Sequence, residues 1–455
     1  MPSLVRWGWV VIFTGLKPFL RPSSAVEETR QTLAYEAADP ALLRKGRSRV
    51  RGRPIIVKFG GSSLANARLI NQAAEKVARE YSSGARVAVV VSAVGRTTDA
   101  LIDLTNGGSG IVETDRDDII AMGERTSARI FAASLKARGI QSRYFDPSDK
   151  DWPIITDERF SNANPLRDQC IVRIRRHVAP LLAEGVVPVI GGFIGRTRDG
   201  RISTLGRGGS DTTALLLAKA LEAEEVVLVT DAQGIMTGDP KLVKKARLLR
   251  RIEMKSLIGM ADSGSKFIHR KALRYKDPDI NIRVASFHSE NLHSAGTIIT
   301  GDPLPPLDVK VHNPDPVASL TLVGRGLPKD ADLTRQAIQI VRHNLLAVSE
   351  DTDSAILYVS EGLSTERQIA QLHAAIVGNP SGVALGIRRD MALITVKGVG
   401  LEETPGVVAS ISDALRSHNI NIFGILTITS SVLVLLDWKV RELAARLIRS
   451  GLEQK

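Results

Sequence analysis

The sequence predicts an α/β domain, a parallel-rich central sheet between helix layers, followed by two smaller α+β units. Three observations predict it. Between residue 54 and residue 300, short β-branched runs alternate with long helical patterns. The runs are almost continuously apolar, as strands buried on both faces of a parallel sheet must be. After residue 317 the same strand–helix order is met twice, with a period of about 60–70 residues.

The strand runs, in order, are PIIVKFGG (54–61), RVAVVVSA (86–93), GVVPVIGGFIG (185–195) and EVVLVTDAQG (225–234). Each ends in glycine or small polar residues. The helical patterns between them are LANARLINQAAEKVARE (64–80), DRDDIIAMGERTSARIFAASLKA (115–137), NPLRDQCIVRIRRHVAPLLAEG (164–185) and SDTTALLLAKALEA (210–223). In such domains ligands gather at the carboxyl ends of the strands, so each strand tail is a candidate binding position. The proline-rich stretch 301–317 reads as a linker. Beyond it, ASLTLVGRGL, TRQAIQIVRHN, SAILYVSE and TERQIAQLHAAIV give the first small unit, 318–380. The second, 391–450, follows with MALITVKGVG, TPGVVASISDALRSHNINIFGI, SVLVLLDW and KVRELAARLIRS.

Composition bounds the function. At 455 residues and 43% hydrophobic content, the chain can build two or three real cores. Its one cysteine, Cys170, allows no intrachain disulfide and fits a reducing compartment. The net charge is +12, yet residues 1–53 carry ten Lys/Arg against four Asp/Glu, half of that excess. This segment reads as a flexible basic extension outside the fold, and its start leaves a signal or transit segment open as well, although no clear small-residue cleavage pattern follows. With 4% aromatic content and no basic–aromatic pattern, nucleic acid is not the expected partner. Ten uncharged residues lie between Arg6 and Lys17, too few for a bilayer, which needs ~20.

The strand tails carry the polar chemistry. Lys58, followed by Phe59, Gly60 and Gly61, offers an ammonium and exposed N–H groups to phosphate oxygens. No G-x-x-x-x-G-K-[ST] loop and no G-x-G-x-x-G after a strand is present, so any phosphate cradle is of another kind. Ser92 and Thr98 follow the second strand. Glu124 lies in a helical pattern beside Gly123, a residue costing ~1 kcal/mol there. TLGRGGSDTT (204–213) sets Arg207 and Asp211 among three glycines at a helix start, where unpaired N–H groups favour an anion. Thr230 to Pro240 closes the series. Each piece alone reads equally well as a turn, a cap or a solvated helix face.

Together, and in this order, they resemble the aspartokinases of the amino-acid kinase superfamily, over about residues 55–450. Lys58 to Ser63 matches the family's Lys-Phe-Gly-Gly-[Thr/Ser]-Ser, and Val90 to Ala93 its Val-Val-Ser-Ala. Gly123 to Ala128 matches Gly-Glu-Arg-X-Ser-Ala, and Thr204 to Ala214 matches Thr-Leu-Gly-Arg-Gly-Gly-Ser-Asp-Thr-Thr-Ala without a mismatch. Thr230 to Pro240 matches Thr-Asp-X-X-Gly-[Val/Ile]-X-Thr-X-Asp-Pro. Ordered motifs are far more specific than any single one. The resemblance implies an amino-acid kinase fold over 54–300 and two ferredoxin-like ACT domains after it.

It also implies an activity: ATP-dependent phosphorylation of the aspartate side-chain carboxylate, the first step toward lysine, threonine and methionine. That work is positioning and charge neutralisation. By resemblance, Lys58 and Asp211 are catalytic, Lys58 neutralising the transferring phosphoryl group and Asp211 holding it in place. Ser92, Thr98, Glu124 and Arg207 bind the amino acid, Glu124 taking its ammonium and Arg207 a carboxylate through a two-pronged contact. ATP meets Lys58, Phe59, Gly60, Gly61, Thr230, Asp231, Met236, Lys241, Lys266 and Phe267. Mg²⁺ enters on the ATP phosphates, with no protein cage for it legible.

Departures from the family pattern fall on the nucleotide side. Met236 stands where Tyr or Phe is common, Lys241 where Arg is, and Gly264 to Arg270 replaces Gly-Ala-Lys-Val-Leu-His-Pro. His269 is expected to be structural. Two rival readings stay open: a kinase for another acid, such as glutamate or N-acetylglutamate, and a non-catalytic amino-acid sensor. Arg207 and Glu124 favour a substrate with a free amino group, and retention of Lys58 and Asp211 speaks against a sensor.

The second ACT unit keeps Thr404-Pro405-Gly406 before its helix and Asn421 after it, so Pro405, Gly406 and Asn421 are the expected effector contacts. The first unit has Asp330-Ala331-Asp332 at the corresponding turn. The resemblance implies a cytoplasmic homodimer or higher homo-oligomer, joined through the ACT domains and inhibited by lysine, threonine or both.

Overall fold

The computed structural model describes residues 52–106, 110–261, 268–293, 296–302, 307–312, 314–326, 331–398, 401, 405–428 and 431–453. The expected 1–53 extension lies outside these except for Gly52 and Arg53. In chain order the first part forms β1 (Ile55–Phe59), α1 (Ala67–Ser82), β2 (Val87–Val91), α2 (Thr97–Asn106) and α3 (Glu113–Lys136). Next come β3 (Ser142–Phe145), α4 (Arg167–His177), α5 (Ala179–Ala183), β4 (Val187–Gly191), β5 (Ile194–Arg196) and β6 (Ile202–Thr204). It closes with α6 (Gly209–Leu221), β7 (Glu225–Thr230), β8 (Arg251–Glu253), α7 (Met254–Ala261), α8 (Arg270–Leu273), β9 (Asn281–Ser286) and β10 (Thr297–Thr300).

Eight of these strands make one sheet in the order β3-β4-β2-β1-β7-β9-β10-β8. Only the β9–β10 pairing is antiparallel. Because successive strand residues face opposite sides, each strand serves two cores. Ile56, Val90, Ile190, Val226, Leu228 and Val284 pack with α6 residues Leu215 to Ala218 and with Cys170 and Ile174 of α4. Ile55, Val57, Phe59, Val89 and Val227 pack on the other face with Ile70, Ala73 and Val77 of α1 and with Phe131 and Leu135 of α3. This is the three-layer arrangement that the continuous apolar runs predicted.

Two expected elements are broken, each for a local reason. The helical pattern 164–185 splits into α4 and α5 at Val178, where Pro180 in the next first turn has no N–H to continue the ladder. The run 185–195 stops at Gly191 and resumes as β5. Between them the start of α6 presses in: a Cβ on Gly192 would lie 2.6 Å from Ser210 Cβ.

The C-terminal part forms β11 (Leu307–Val311), β12 (Val317–Gly324), α9 (Ala331–Val341), β13 (Leu345–Asp351), β14 (Ser354–Ser360), α10 (Thr365–Val377) and β15 (Gly382–Gly398). It ends with α11 (Val407–Arg416), β16 (Ile422–Ile428), β17 (Ser431–Asp437) and α12 (Arg441–Glu453). The 17-residue strand β15 is shared. Its first half pairs with β12, giving β13-β14-β12-β15, and its second half pairs with β17 and β11, giving β16-β17-β15-β11. Asp390, with φ 55°, marks where the strand changes partners.

Each half has the strand order of one β-α-β-β-α-β unit. The fourth strand of the second unit is β11, which precedes the first unit in sequence. The stretch 301–317, expected as a linker, therefore carries a strand, because Leu307, Val309 and Val311 alternate and find the open edge of β15. Residues 382–388, between the two expected units, complete the first in the same way. Helices α9 and α10 cover the first half through Leu333, Ala337, Leu372 and Ile376, and α11 and α12 cover the second through Ile411, Leu415, Ala444 and Ile448. Among the described residues no helix is long and apolar enough to cross a membrane.

Candidate active site

Strand alternation decides which part of β1 reaches the site. Phe59 turns into the core against Phe131, ring centroids 5.5 Å apart, while Lys58 turns to the α6 side. There its Nζ lies 2.7 Å from Asp211 Oδ1 in the first turn of α6. The contact is an ion pair without a directed hydrogen bond, since Asp211 Oδ1 is buried and accepts none. Phe59, expected among the ATP contacts, has its side chain wholly buried in the core.

The turn before α6 is built for close approach. Gly206 and Gly208 have φ of 70° and 74°, in the left-handed region that glycine enters without penalty. A Cβ on Gly208 would fall 2.2 Å from that of His269. Gly208 caps α6 with no side-chain acceptor, leaving the helix start to whatever anion arrives. Arg207, between them, is exposed and forms no ion pair among the described residues.

Helix α3 supplies the acid. Glu124 is 3% exposed, and its Oε1 accepts from Ala93 N–H at 3.1 Å and Thr98 Oγ1 at 3.4 Å. Its Oε2 is buried with no partner. Burial, outweighing those hydrogen bonds, pushes its carboxyl up to about 7. Gly123 is required beside it: a Cβ there would meet Ala93 Cβ at 2.8 Å, so the strand tail and the helix close on each other only without one. Arg125 of the same motif faces elsewhere, pairing with Asp146 at 3.0 Å. Ser92 Oγ donates to Ser210 Oγ at 3.1 Å, tying β2 to the start of α6.

These groups line one cavity of about 1080 Å³. That is at the upper end of the ~300–1,000 Å³ usual for small-ligand sites. Lys58, Gly60, Gly61, Ser92, Thr98, Glu124, Arg207, Asp211 and Thr230 all reach it. Asp231, Met236 and Lys241 do not line it. Asp231 is exposed, Met236 bridges to Leu248, and Lys241 sits exposed beside Asp239. Lys266 and Phe267 lie outside the described residues. Pro405 and Gly406 precede α11 and Asn421 precedes β16; all three are exposed, and Gly406, with φ 79°, caps α11 without a side chain.

Sequence reasoning missed Asp117, Ser161 and Lys271 around the same turn. Asp117 is fully buried on α3 and its carboxyl is raised by burial, against four hydrogen bonds that lower it. Lys271 is lowered to about 8 by burial. Asp117 stands seven residues before Glu124, about two helical turns, so helical periodicity already placed both on one face. His269 packs on Gly208, as a structural residue would, and also lines the cavity.

Among the described residues no three His, Cys, Asp or Glu side chains gather as metal ligands.

An amino acid kinase family model matches residues 53–286 and an ACT domain model matches 386–450. Aspartate kinase Ask_LysC of Stutzerimonas stutzeri is 32% identical over 417 residues, 88% of this chain and 97% of that protein. An aspartokinase of Thermus thermophilus is 30% identical over 416 residues, 88% of this chain and 98% of that protein. A crystal structure of aspartate kinase from Synechocystis shares the fold, with a TM-score of 0.69 at 24% identity over 88% of this chain and 69% of that one. With kinase and ACT segments in the same order and near full-length matches, the chain belongs to the aspartokinases of the amino acid kinase family.

Proposed function

We propose that the chain transfers the γ-phosphoryl group of ATP to the side-chain carboxylate of L-aspartate, giving 4-phospho-L-aspartate and ADP. The observation that carries this reading is one cavity with three complementary charges: the unpartnered oxygen of Glu124, the guanidinium of Arg207, and Lys58 at the uncapped start of α6. Aspartate presents two carboxylates and one ammonium. Arg207 suits a carboxylate through two parallel hydrogen bonds, Glu124 suits the ammonium, and the hydroxyls of Ser92 and Thr98 suit what remains. The names of the full-length relatives support aspartate as the acid.

ATP phosphates fit over Gly60, Gly61 and the α6 N-terminus, with Thr230 at the cavity wall toward the nucleoside and Asp231 assigned beside it by family resemblance. Met236, Lys241, Lys266 and Phe267 continue that side by family resemblance. An aspartate carboxylate oxygen bonds to the γ-phosphorus as the bond to the β–γ bridging oxygen breaks. No strong base is needed, since that carboxylate is already ionised near neutral pH. Lys58 faces the transferring phosphoryl oxygens and Asp211 holds it there. Mg²⁺ bound to the phosphates supplies further neutralisation of their charge.

The C-terminal units form the regulatory part. Pro405, Gly406 and Asn421 hold an amino-acid effector, lysine or threonine, and copies of the chain associate through these units as a homodimer or larger homo-oligomer. The kinase domain spans 54–300, and its product feeds lysine, threonine and methionine synthesis in the cytoplasm. Purified protein with ATP and aspartate, glutamate or N-acetylglutamate, trapped with hydroxylamine, tests the substrate. An acyl hydroxamate from aspartate is expected, and one only from another acid overturns the assignment. Titrating that activity with lysine and threonine should weaken apparent aspartate affinity through a coupling of ~1–3 kcal/mol. Insensitivity to both overturns the regulatory reading.

A further inference from the structure

Arg207 has no ion pair among the described residues, so its place depends on the backbone turn that carries it. That turn is held at every backbone polar group of Thr204 and Leu205. Asp117 accepts from Thr204 N–H at 2.7 Å and from its Oγ1 at 3.0 Å. Thr204 C=O accepts from Ala163 N–H at 2.9 Å, and Leu205 N–H donates to Phe193 C=O at 2.8 Å. Leu205 C=O accepts from Lys271 Nζ at 2.6 Å.

The same two charges also grip the neighbouring loop. Asp117 accepts from Ser161 N–H at 2.8 Å and its Oγ at 3.3 Å, holding Ser161 at φ 63°, a conformation that non-glycine residues avoid. Lys271 Nζ donates to Asn162 Oδ1 at 2.7 Å and Ala163 C=O at 3.0 Å. Neither charge forms an ion pair among the described residues; both bond to the same two segments, 161–163 and 204–205. A fully buried carboxylate and a partly buried ammonium without opposite charges are costly to keep. Both hold one object, the loop and turn that line the cavity at Ser161, Thr204, Gly206 and Arg207.

We propose that Asp117 and Lys271 are positioning residues that clamp the Thr204–Arg207 turn from opposite sides and so set where Arg207 meets the substrate carboxylate. Because Asp117 and Glu124 share the rigid helix α3, the clamp also fixes the spacing between Arg207 and the ammonium-binding carboxylate. This rests on the assignment of Arg207 and Glu124 to the amino-acid substrate. It sets Asp117 and Lys271 apart from residues that touch substrate.

The test is steady-state kinetics of Asp117→Asn, Lys271→Gln and Thr204→Val, alone and combined with Arg207→Ala, on the full chain. Asp117→Asn and Lys271→Gln should each raise aspartate KM by on the order of 10²-fold, the loss that a misplacement of about 1 Å produces. ATP KM should move by less than about twofold, and the aspartate effect should largely vanish when Arg207 is already alanine. Thr204→Val removes one of the four bonds to Asp117 and keeps the backbone, so it reads the clamp even if Asp117→Asn fails to fold. It should raise aspartate KM in the same sense by a smaller factor. Aspartate KM unchanged in both Thr204→Val and Lys271→Gln overturns the proposal, as does parallel loss of aspartate and ATP affinity. An effect that persists in full beside Arg207→Ala overturns the clamp alone. If Arg207→Ala itself leaves aspartate KM unchanged, the assignment of Arg207 fails and the proposal with it.

Discussion

Replacing Glu124 by glutamine should make the ligand-free protein more stable while disabling aspartate binding. Glu124 is 3% exposed, and one of its two oxygens has no donor. Burial moves its carboxyl from an ordinary 4.5 to about 7. A carboxyl held above its unfolded value binds its proton more tightly in the folded state. The cost of ionising it is therefore absent below about pH 4.5, grows through the interval to 7, and is complete above that. Its full size is roughly 3 kcal/mol. Glutamine keeps an acceptor for Ala93 N–H and Thr98 and carries no charge. Urea unfolding of both proteins at several pH values, without ligands, should show Glu124→Gln ahead by up to ~3 kcal/mol at pH 8, with the two converging near pH 5. In the proposed binding mode, aspartate relieves the cost by bringing its ammonium to the unpartnered oxygen. In the wild type, kcat/KM for aspartate should fall about tenfold per pH unit below 7, while the variant is low and flat. A stability difference that does not change with pH would refute the burial argument. A wild-type profile flat through pH 7 would remove Glu124 from ammonium binding.

Four further outcomes are expected. Arg207→Ala should raise aspartate KM with little change in ATP binding, losing a charge-assisted contact worth ~1.5–3 kcal/mol, as steady-state kinetics against each substrate will show. Lys58→Ala should lower kcat by roughly 10²–10³-fold, because its proposed contact strengthens as the phosphoryl group transfers; an unchanged kcat would take it out of the mechanism. Gly208→Ala should lower thermal stability and both substrate affinities together, since its φ of 74° costs alanine ~1 kcal/mol or more and the new Cβ would lie 2.2 Å from that of His269. His293 is raised to about 10 by hydrogen bonds to Glu225 and Glu80. Its stabilisation is complete below about 6.5 and lost as pH rises through 10, so His293→Ala should lower the melting temperature at pH 7 and hardly at all at pH 11.

The sequence by itself determined the layered α/β class and the chemistry of the strand tails. Continuous apolar runs such as VAVVV can be buried only on both faces, and glycines beside Lys58 and Arg207 mark where backbone must approach a ligand. Helical periodicity also contained Asp117 and Glu124 on one face of α3, although nothing local distinguished Asp117 from the acidic residues around it. Tertiary structure decided the rest. It turned Phe59 into the core and Lys58 toward Asp211, a choice that depends on which layer covers each face of β1. It made 307–311 a strand, because an edge of β15 left open by its own unit offered hydrogen bonds that no neighbour in sequence could supply. It also brought Lys271 to the carbonyls of Ala163 and Leu205, more than sixty residues away in sequence. Local pattern records what a segment can bury or bond; which partner it meets is settled only when distant segments compete for the same faces, edges and unpaired polar groups.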